Sequence, residues 1–234
     1  MRGMAMFLAV ALAAAAVQAG EDRVEADKLA LAKVQDLIGQ WKGGGKPAQG
    51  DAWSETFEWA WAFEGGRALL AMKTADGKYF KDAKLVAGEA ADAFTLTATA
   101  ADGSAQTYAG AINRFKDLEL VNAQAGEGQP ARITLSLLAR GKRMTVLYER
   151  KLPGGADKFG KLAEVGATKQ GSGFGKNANA NVCVVTGGEG TMAVEYKGKT
   201  YYVCCTGCKQ AFLDNPEKEI AGHEKRIAAE AAKK

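Results

Sequence analysis

With 234 residues, 25% of them charged and a formal net charge of only +4, the chain has neither the basic excess of a nucleic-acid groove nor the apolar-poor composition of a disordered protein. Its length suits one domain of ordinary size and a small second one. All four cysteines fall between positions 183 and 208, so they cannot staple the whole chain and instead serve one local site.

Residues 1–19 combine one positive charge at Arg2, an apolar run from Met4 to Val17 and a small-x-small ending at Val17-Gln18-Ala19. That layout predicts a secretory signal peptide cut after Ala19. The run is shorter than the ~20 apolar residues a membrane helix needs, and it is rich in alanine rather than leucine. The first cysteine is Cys183, so no thiol near the cut can carry a lipid. No later segment is long and apolar enough to span a bilayer. The expectation is an exported chain, periplasmic or secreted, without a membrane anchor.

From residue 20 to 152 a single mainly β domain is expected. It opens on an amphipathic helix over 21–38, with Leu31, Val34, Leu37 and Ile38 on its apolar side. Alternation then takes over: Phe57, Trp59, Trp61 and Phe63 share one face of a strand, with Glu58 and Ala60 between them. A turn at Glu64-Gly65-Gly66 leads into a strand over 68–73. Asp76-Gly77 and Asp102-Gly103 are tight-turn signals, and further strands are expected near 79–86, 93–99, 105–112, 117–122, 131–138 and 143–150. Eight or nine short strands with no helix between them predict an antiparallel meander that closes on itself as a barrel.

Gly39-Gln40-Trp41-Lys42-Gly43-Gly44-Gly45 follows the helix and opens the first strand. A G-x-W-x-G-x-G at that place resembles lipocalin and nitrobindin barrels, over residues of about 30–150. The resemblance implies that Trp41 closes the barrel bottom against the N-terminal helix while the glycines let the strand bend. Nitrobindin-like barrels hold haem through a histidine. The one histidine here, His223, lies outside the barrel segment, so no haem is expected. Trp41, Phe57, Trp59, Trp61 and Phe63 are candidates to line a cavity for an apolar ligand, although such a stripe is commonly core.

Residues 153–180 are rich in glycine with Lys, Ser and Asn, and they read as a linker that uncouples the two cores, with one extra edge strand expected over 161–168. The second domain, 181–234, is expected to be a small α+β unit. Cys183 precedes a turn at Thr186-Gly187-Gly188; Met192, Val194 and Tyr196 alternate as a strand; Lys197-Gly198-Lys199 turns; Thr200–Val203 returns; Cys204-Cys205-Thr206-Gly207-Cys208 enters a helix. Thiols before a hairpin and at a strand-to-helix passage converge, in the manner of a treble-clef-like metal site.

Twenty residues separate Cys183 from Cys204, and three separate Cys204 from Cys208. With Tyr196, Gly198, Tyr201, Phe212 and Pro216 in register, the segment 181–220 resembles the YHS and TRASH families of small metal-binding domains. The resemblance implies that Cys183, Cys204 and Cys208 are metal ligands. Val184 stands where these families often have proline and Val203 where they often have phenylalanine, both at packing positions.

Thiolates are soft donors that select Zn(II) or Cu(I) over Mg or Ca. Three leave a tetrahedral ion one ligand short, with Cys205 and His223 as candidate fourth ligands. Two other readings of the cysteines stay open. Export permits disulfides, and Cys183 bridged to Cys204 or Cys208 would staple a domain too small to bury a sufficient core. The C-T-G-C of 205–208 has redox spacing but lacks the βαβ context that gives it meaning. No nucleophile elbow or phosphate-binding glycine loop is present, and carboxylates show no evident pairing. The expectation is a non-catalytic protein whose partners are a metal ion and a candidate protein, not nucleic acid. The alternative is a hydrophobic-ligand carrier with a disulfide-stapled small domain.

Overall fold

In a computed structural model the described residues are 20–155, 158–170 and 181–232. The expected signal segment, 1–19, and linker residues 171–180 lie outside them.

The chain enters through helix α1, residues 20–31, which tightens into a 3-10 turn over Ala32–Leu37. The expected helix over 21–38 therefore changes pitch partway. The N–H of Ile38 closes on the carbonyl of Gln35 at 2.9 Å, and Gly39, at φ +130°, turns the chain at once into the first strand. Leu31, Val34, Leu37 and Ile38 are buried, as their spacing predicts. Asp27 is buried as well. It accepts two hydrogen bonds from the Arg67 guanidinium, at 2.6 and 2.9 Å, and one from the Ala68 backbone N–H at 3.2 Å. This charge-assisted fork clamps α1 to the barrel.

Ten antiparallel strands form a closed barrel: β1 (Gly39–Pro47), β2 (Trp53–Glu64), β3 (Arg67–Thr74), β4 (Phe80–Ala87), β5 (Ala93–Ala100), β6 (Ala105–Ile112), β7 (Leu118–Val121), β8 (Arg132–Leu138), β9 (Arg143–Lys151) and β10 (Phe159–Lys169). β1 pairs with β2 on one side and β10 on the other, so that Trp41 lies opposite both Phe57 and Lys169. Closure removes every edge. The segment expected as an edge strand within the linker is thus the strand that completes the barrel. Its inward residues Ala163, Val165 and Ala167 are buried, and they are small enough that the alternation was weak in the sequence.

Trp41 is fully buried, and its indole N–H donates to the carbonyl of Leu37 at 2.7 Å. It joins the barrel floor to the end of the 3-10 turn, as expected. The neighbouring glycines act differently from expectation. A Cβ on Gly45 would lie 2.1 Å from the Trp53 ring, so this glycine seats an aromatic ring flat on the strand rather than bending it.

Of the stripe expected to line a cavity, Phe57 and Trp59 do face one, together with Tyr79, Phe80 and Tyr148, but its volume is about 40 Å³. That is room for a few waters, against the roughly 300 to 1,000 Å³ of ligand pockets. Trp41 instead stacks on Phe57 within the floor, and Phe63 stacks on Trp61 with the Lys28 ammonium 5.5 Å from its ring. None of these three, Trp41, Trp61 and Phe63, borders the cavity.

The small domain holds the hairpin β11 (Met192–Tyr196) and β12 (Lys199–Val203), then α2 (Thr206–Asp214) and α3 (Pro216–Ala231). Lys197 and Gly198 both take positive φ, +48° and +73°, the backbone that a two-residue hairpin turn requires. The expectation that the linker uncouples two cores does not hold. α2 packs on β2 so closely that a Cβ on Gly207 would lie 1.7 Å from the Trp61 carbonyl oxygen. α3 lies beside α1 through Lys28–Glu219 at 3.5 Å and Lys218–Glu21 at 2.9 Å. Linker composition reports only the tether; the surfaces it joins are complementary and bury one another. Among the described residues no helix is long and apolar enough to cross a membrane.

Candidate metal centre

Three chain segments bring the sulfurs together. Cys183 begins a tight turn in which its N–H donates to the Gly188 carbonyl at 2.7 Å and its carbonyl accepts from Gly187 N–H at 2.8 Å. Gly187, at φ +78°, makes that return geometry available. The turn is tied to the hairpin by Val184 N–H donating to Tyr202 C=O at 2.8 Å. Cys204 directly follows β12, and Cys208 lies in the first turn of α2. The three Sγ atoms all lie within 4.8 Å of one another, and no other such group of metal-capable side chains exists among the described residues. Val184 and Val203, which replace the proline and phenylalanine common in YHS-like sequences, are both fully packed in the core.

Cys183 and Cys208 are 0% exposed, and Cys204 is half-buried. Cys204 Sγ lies 3.5 Å from Cys208 Sγ and 3.7 Å from the Thr186 hydroxyl. All four cysteines are free thiols.

The electrostatics favour an ion. Hydrogen bonds from Cys204 and then Cys208 hold the Cys183 thiol far below its usual range. The same contact pushes Cys204 up. Burial first, then the neighbouring sulfurs, pushes Cys208 well up. Without a cation the cluster therefore carries its negative charge unevenly, since several thiolates this close in a dry site repel one another. A bound divalent or monovalent soft ion stabilises all three thiolates together and releases their protons. Cys208 lies in the first turn of α2, where the helix dipole further favours negative charge. The donor set, its burial and its charge all fit a thiophilic ion.

Neither candidate fourth ligand belongs to the group of three sulfurs that all lie within 4.8 Å of one another. Cys205 caps α2 beside Cys204 and Cys208, whose hydrogen bonds hold its thiol below the usual range, and its Sγ also accepts the backbone N–H of Trp61 in β2 at 3.3 Å. It ties the small domain to the barrel. His223 lies on α3 and is not part of the sulfur group. The sequence pattern did not reveal Thr186 as a neighbour of Cys204, nor Gln35 of the 3-10 turn and the barrel residues Trp61 and Lys169 near the site, because nothing local links them to the cysteines.

No curated protein matches the chain. A crystal structure of Rv2717c from M. tuberculosis aligns over 60% of this chain and 97% of its own, at 17% sequence identity and a TM-score of 0.41. Residues 188–219 match the model of the YHS domain, a span that includes Cys204 and Cys208 and to which the fold adds Cys183 from just outside.

Proposed function

We propose that the protein is an exported, non-catalytic metal-handling protein that holds one thiophilic ion, Zn(II) or Cu(I), on Cys183, Cys204 and Cys208, and passes it to or senses it for a partner outside the cytoplasm. The convergence of the three sulfurs within 4.8 Å carries this reading. A disulfide would join two of them and leave the third buried without a role, whereas a soft ion engages all three. Export is supported by the composition of residues 1–19. In this reading the barrel is the scaffold: its β2 strand supports the back of the site through Cys205 and Gly207, and its small interior leaves no room for a lipid.

The test is metal analysis beside thiol counting on the full mature chain purified under reducing conditions. We expect about one ion per chain with metal–sulfur distances of about 2.3 Å by X-ray absorption, and loss of tight binding in Cys183→Ser. A Cys183→Ser variant that keeps full stoichiometry and affinity moves the site elsewhere. Native protein with its thiols oxidised and no metal after gentle reduction replaces this reading by the disulfide one.

A further inference from the structure

The trio supplies three of the four donors that a tetrahedral ion takes. Cys204 and Cys205 both line a cleft of about 520 Å³ between the barrel floor and the small domain. Cys205 is 3% exposed and lies in hydrogen-bonding contact with Cys204 and Cys208. It thus touches two of the three clustered sulfurs, although it stands outside their 4.8 Å group.

The barrel supports this sulfur from behind. β1 pairs with β2 no further than Gly39 opposite Trp59, whereas β2 continues against β3 as far as Glu64. Trp61 lies past the reach of β1, and its backbone N–H turns to the Cys205 sulfur at 3.3 Å. A neutral thiol sulfur is a weak acceptor, whereas a metal-bound thiolate accepts as an ion and makes a stronger bond. An N–H aimed at a ligating atom also fixes its orientation, as the outer partners of metal sites do.

The other donors within reach suit a thiophilic ion less. The Thr186 hydroxyl, 3.7 Å from Cys204 Sγ, and the Glu189 carboxylate on the cleft are hard oxygens, as is the water that the cleft admits. Met192, also on the cleft, offers a sulfur without charge. His223 does not line it. Four thiolates crowd negative charge together, which a divalent ion halves and a monovalent one reduces by only a quarter. Lys169 on the same cleft and the first turn of α2 oppose the remainder. Four sulfurs at the corners of a tetrahedron are the geometry of zinc.

Resting on the metal-binding reading, we infer that Cys205 is the fourth ligand, so that loading closes a four-thiolate site around Zn(II) with the Trp61 N–H bonded to its fourth sulfur. Metal–sulfur bonds of about 2.3 Å set the edges of such a tetrahedron at about 3.8 Å, tighter than the 4.8 Å limit that leaves Cys205 out. Loading therefore draws Cys205 in to the other three. Because this donor is held by a barrel strand, the ion joins the two regions and its arrival is felt in β2.

The experiment uses the full mature chain, reduced and loaded with one Zn(II). X-ray absorption counts the sulfurs around the ion, and NMR follows the Trp61 backbone N–H. We expect four sulfurs in the parent, three and one lighter atom in Cys205→Ser, and four in Met192→Leu. The Trp61 amide should shift on loading in the parent and stay in place in Cys205→Ser. A chain that takes up no zinc overturns both readings. Three sulfurs and a lighter atom in the parent overturn this inference alone and leave the trio as the site. A Cys205→Ser variant that still shows four sulfurs overturns it as well, the last then coming from Met192. Should Cys205→Ser fail to fold, Met192→Leu decides: four sulfurs in it support Cys205, and three overturn the inference.

Discussion

The barrel and the small domain solve the same problem with different means. The barrel closes ten strands around Trp41, Trp61, Tyr108, Leu70, Leu85, Leu120 and Met144, all fully buried, and burial of that much apolar surface is enough to order it. The small domain has Val184, Val185, Val194, Val203 and Phe212, together with the sulfurs, at its centre. That core is too slight to stand alone. It leans instead on the barrel through α2 and on its own thiols. A domain short of apolar residues gains order from a neighbour's surface and, where its clustered thiols hold an ion, from coordination chemistry.

Metal removal should separate the two regions most sharply. Structural zinc in small thiolate sites contributes an apparent ~10 to 16 kcal/mol near neutral pH. A chelator acting on the reduced protein should abolish hydrogen-exchange protection over 183–214 while β5–β8, on the far side of the barrel from α2, keep theirs. Equal loss in both regions, or none in either, would end the contrast drawn above.

Trp41→Ala attacks the other side. Emptying a fully buried tryptophan site and losing its bond to Leu37 C=O should lower barrel stability by about 3 to 5 kcal/mol in a denaturant titration. Metal stoichiometry should stay the same. If the ion is lost as well, the barrel floor is part of the site and not merely beneath it.

Gly207→Ala tests the seam. Its added methyl would fall 1.7 Å from the Trp61 carbonyl oxygen, so α2 must move off β2, at a cost of about 1 to 3 kcal/mol. A single thermal transition in the parent should become two in the variant, seen by calorimetry. A variant that still melts as one unit would mean that the α1–α3 ion pairs alone couple the regions.

The smallest effect concerns Glu55, in the barrel interior. Burial raises its carboxyl above the ordinary 4.5, more than the Trp53 N–H bond lowers it. The folded state thus binds this proton more tightly than the unfolded one, and stability falls as pH rises from about the ordinary value through the raised one. Glu55→Gln should flatten that slope for the barrel transition and leave the chelator response unchanged. An unaltered slope would place the titration at another group.

Much of this was legible in the sequence because the signals are local. The alternation of Phe57, Trp59 and Trp61, the paired turn residues, and the spacing of Cys183, Cys204 and Cys208 each reflect periodicities or short loops. β10 was legible only in part: Gly160 and Gly166 and the glycine-rich flanks hid an inward row of small residues. Asp27 gave no signal, since its partner Arg67 stands 40 residues away and a carboxylate on a helix is usually solvated.

What the sequence alone determined is therefore the barrel's strand pattern, the Trp41 floor and the three thiols, because side-chain period and loop length follow from neighbouring residues. What only the tertiary structure decided is which sulfurs join the trio and how the two regions share a wall. Cys204 and Cys205 are adjacent in the chain, yet only Cys204 belongs to the trio, whereas Cys205 takes the N–H of Trp61 from a strand 144 residues earlier. That choice depends on the angle at which α2 meets β2, set by the absence of a side chain on Gly207, and no local rule specifies what a glycine will touch.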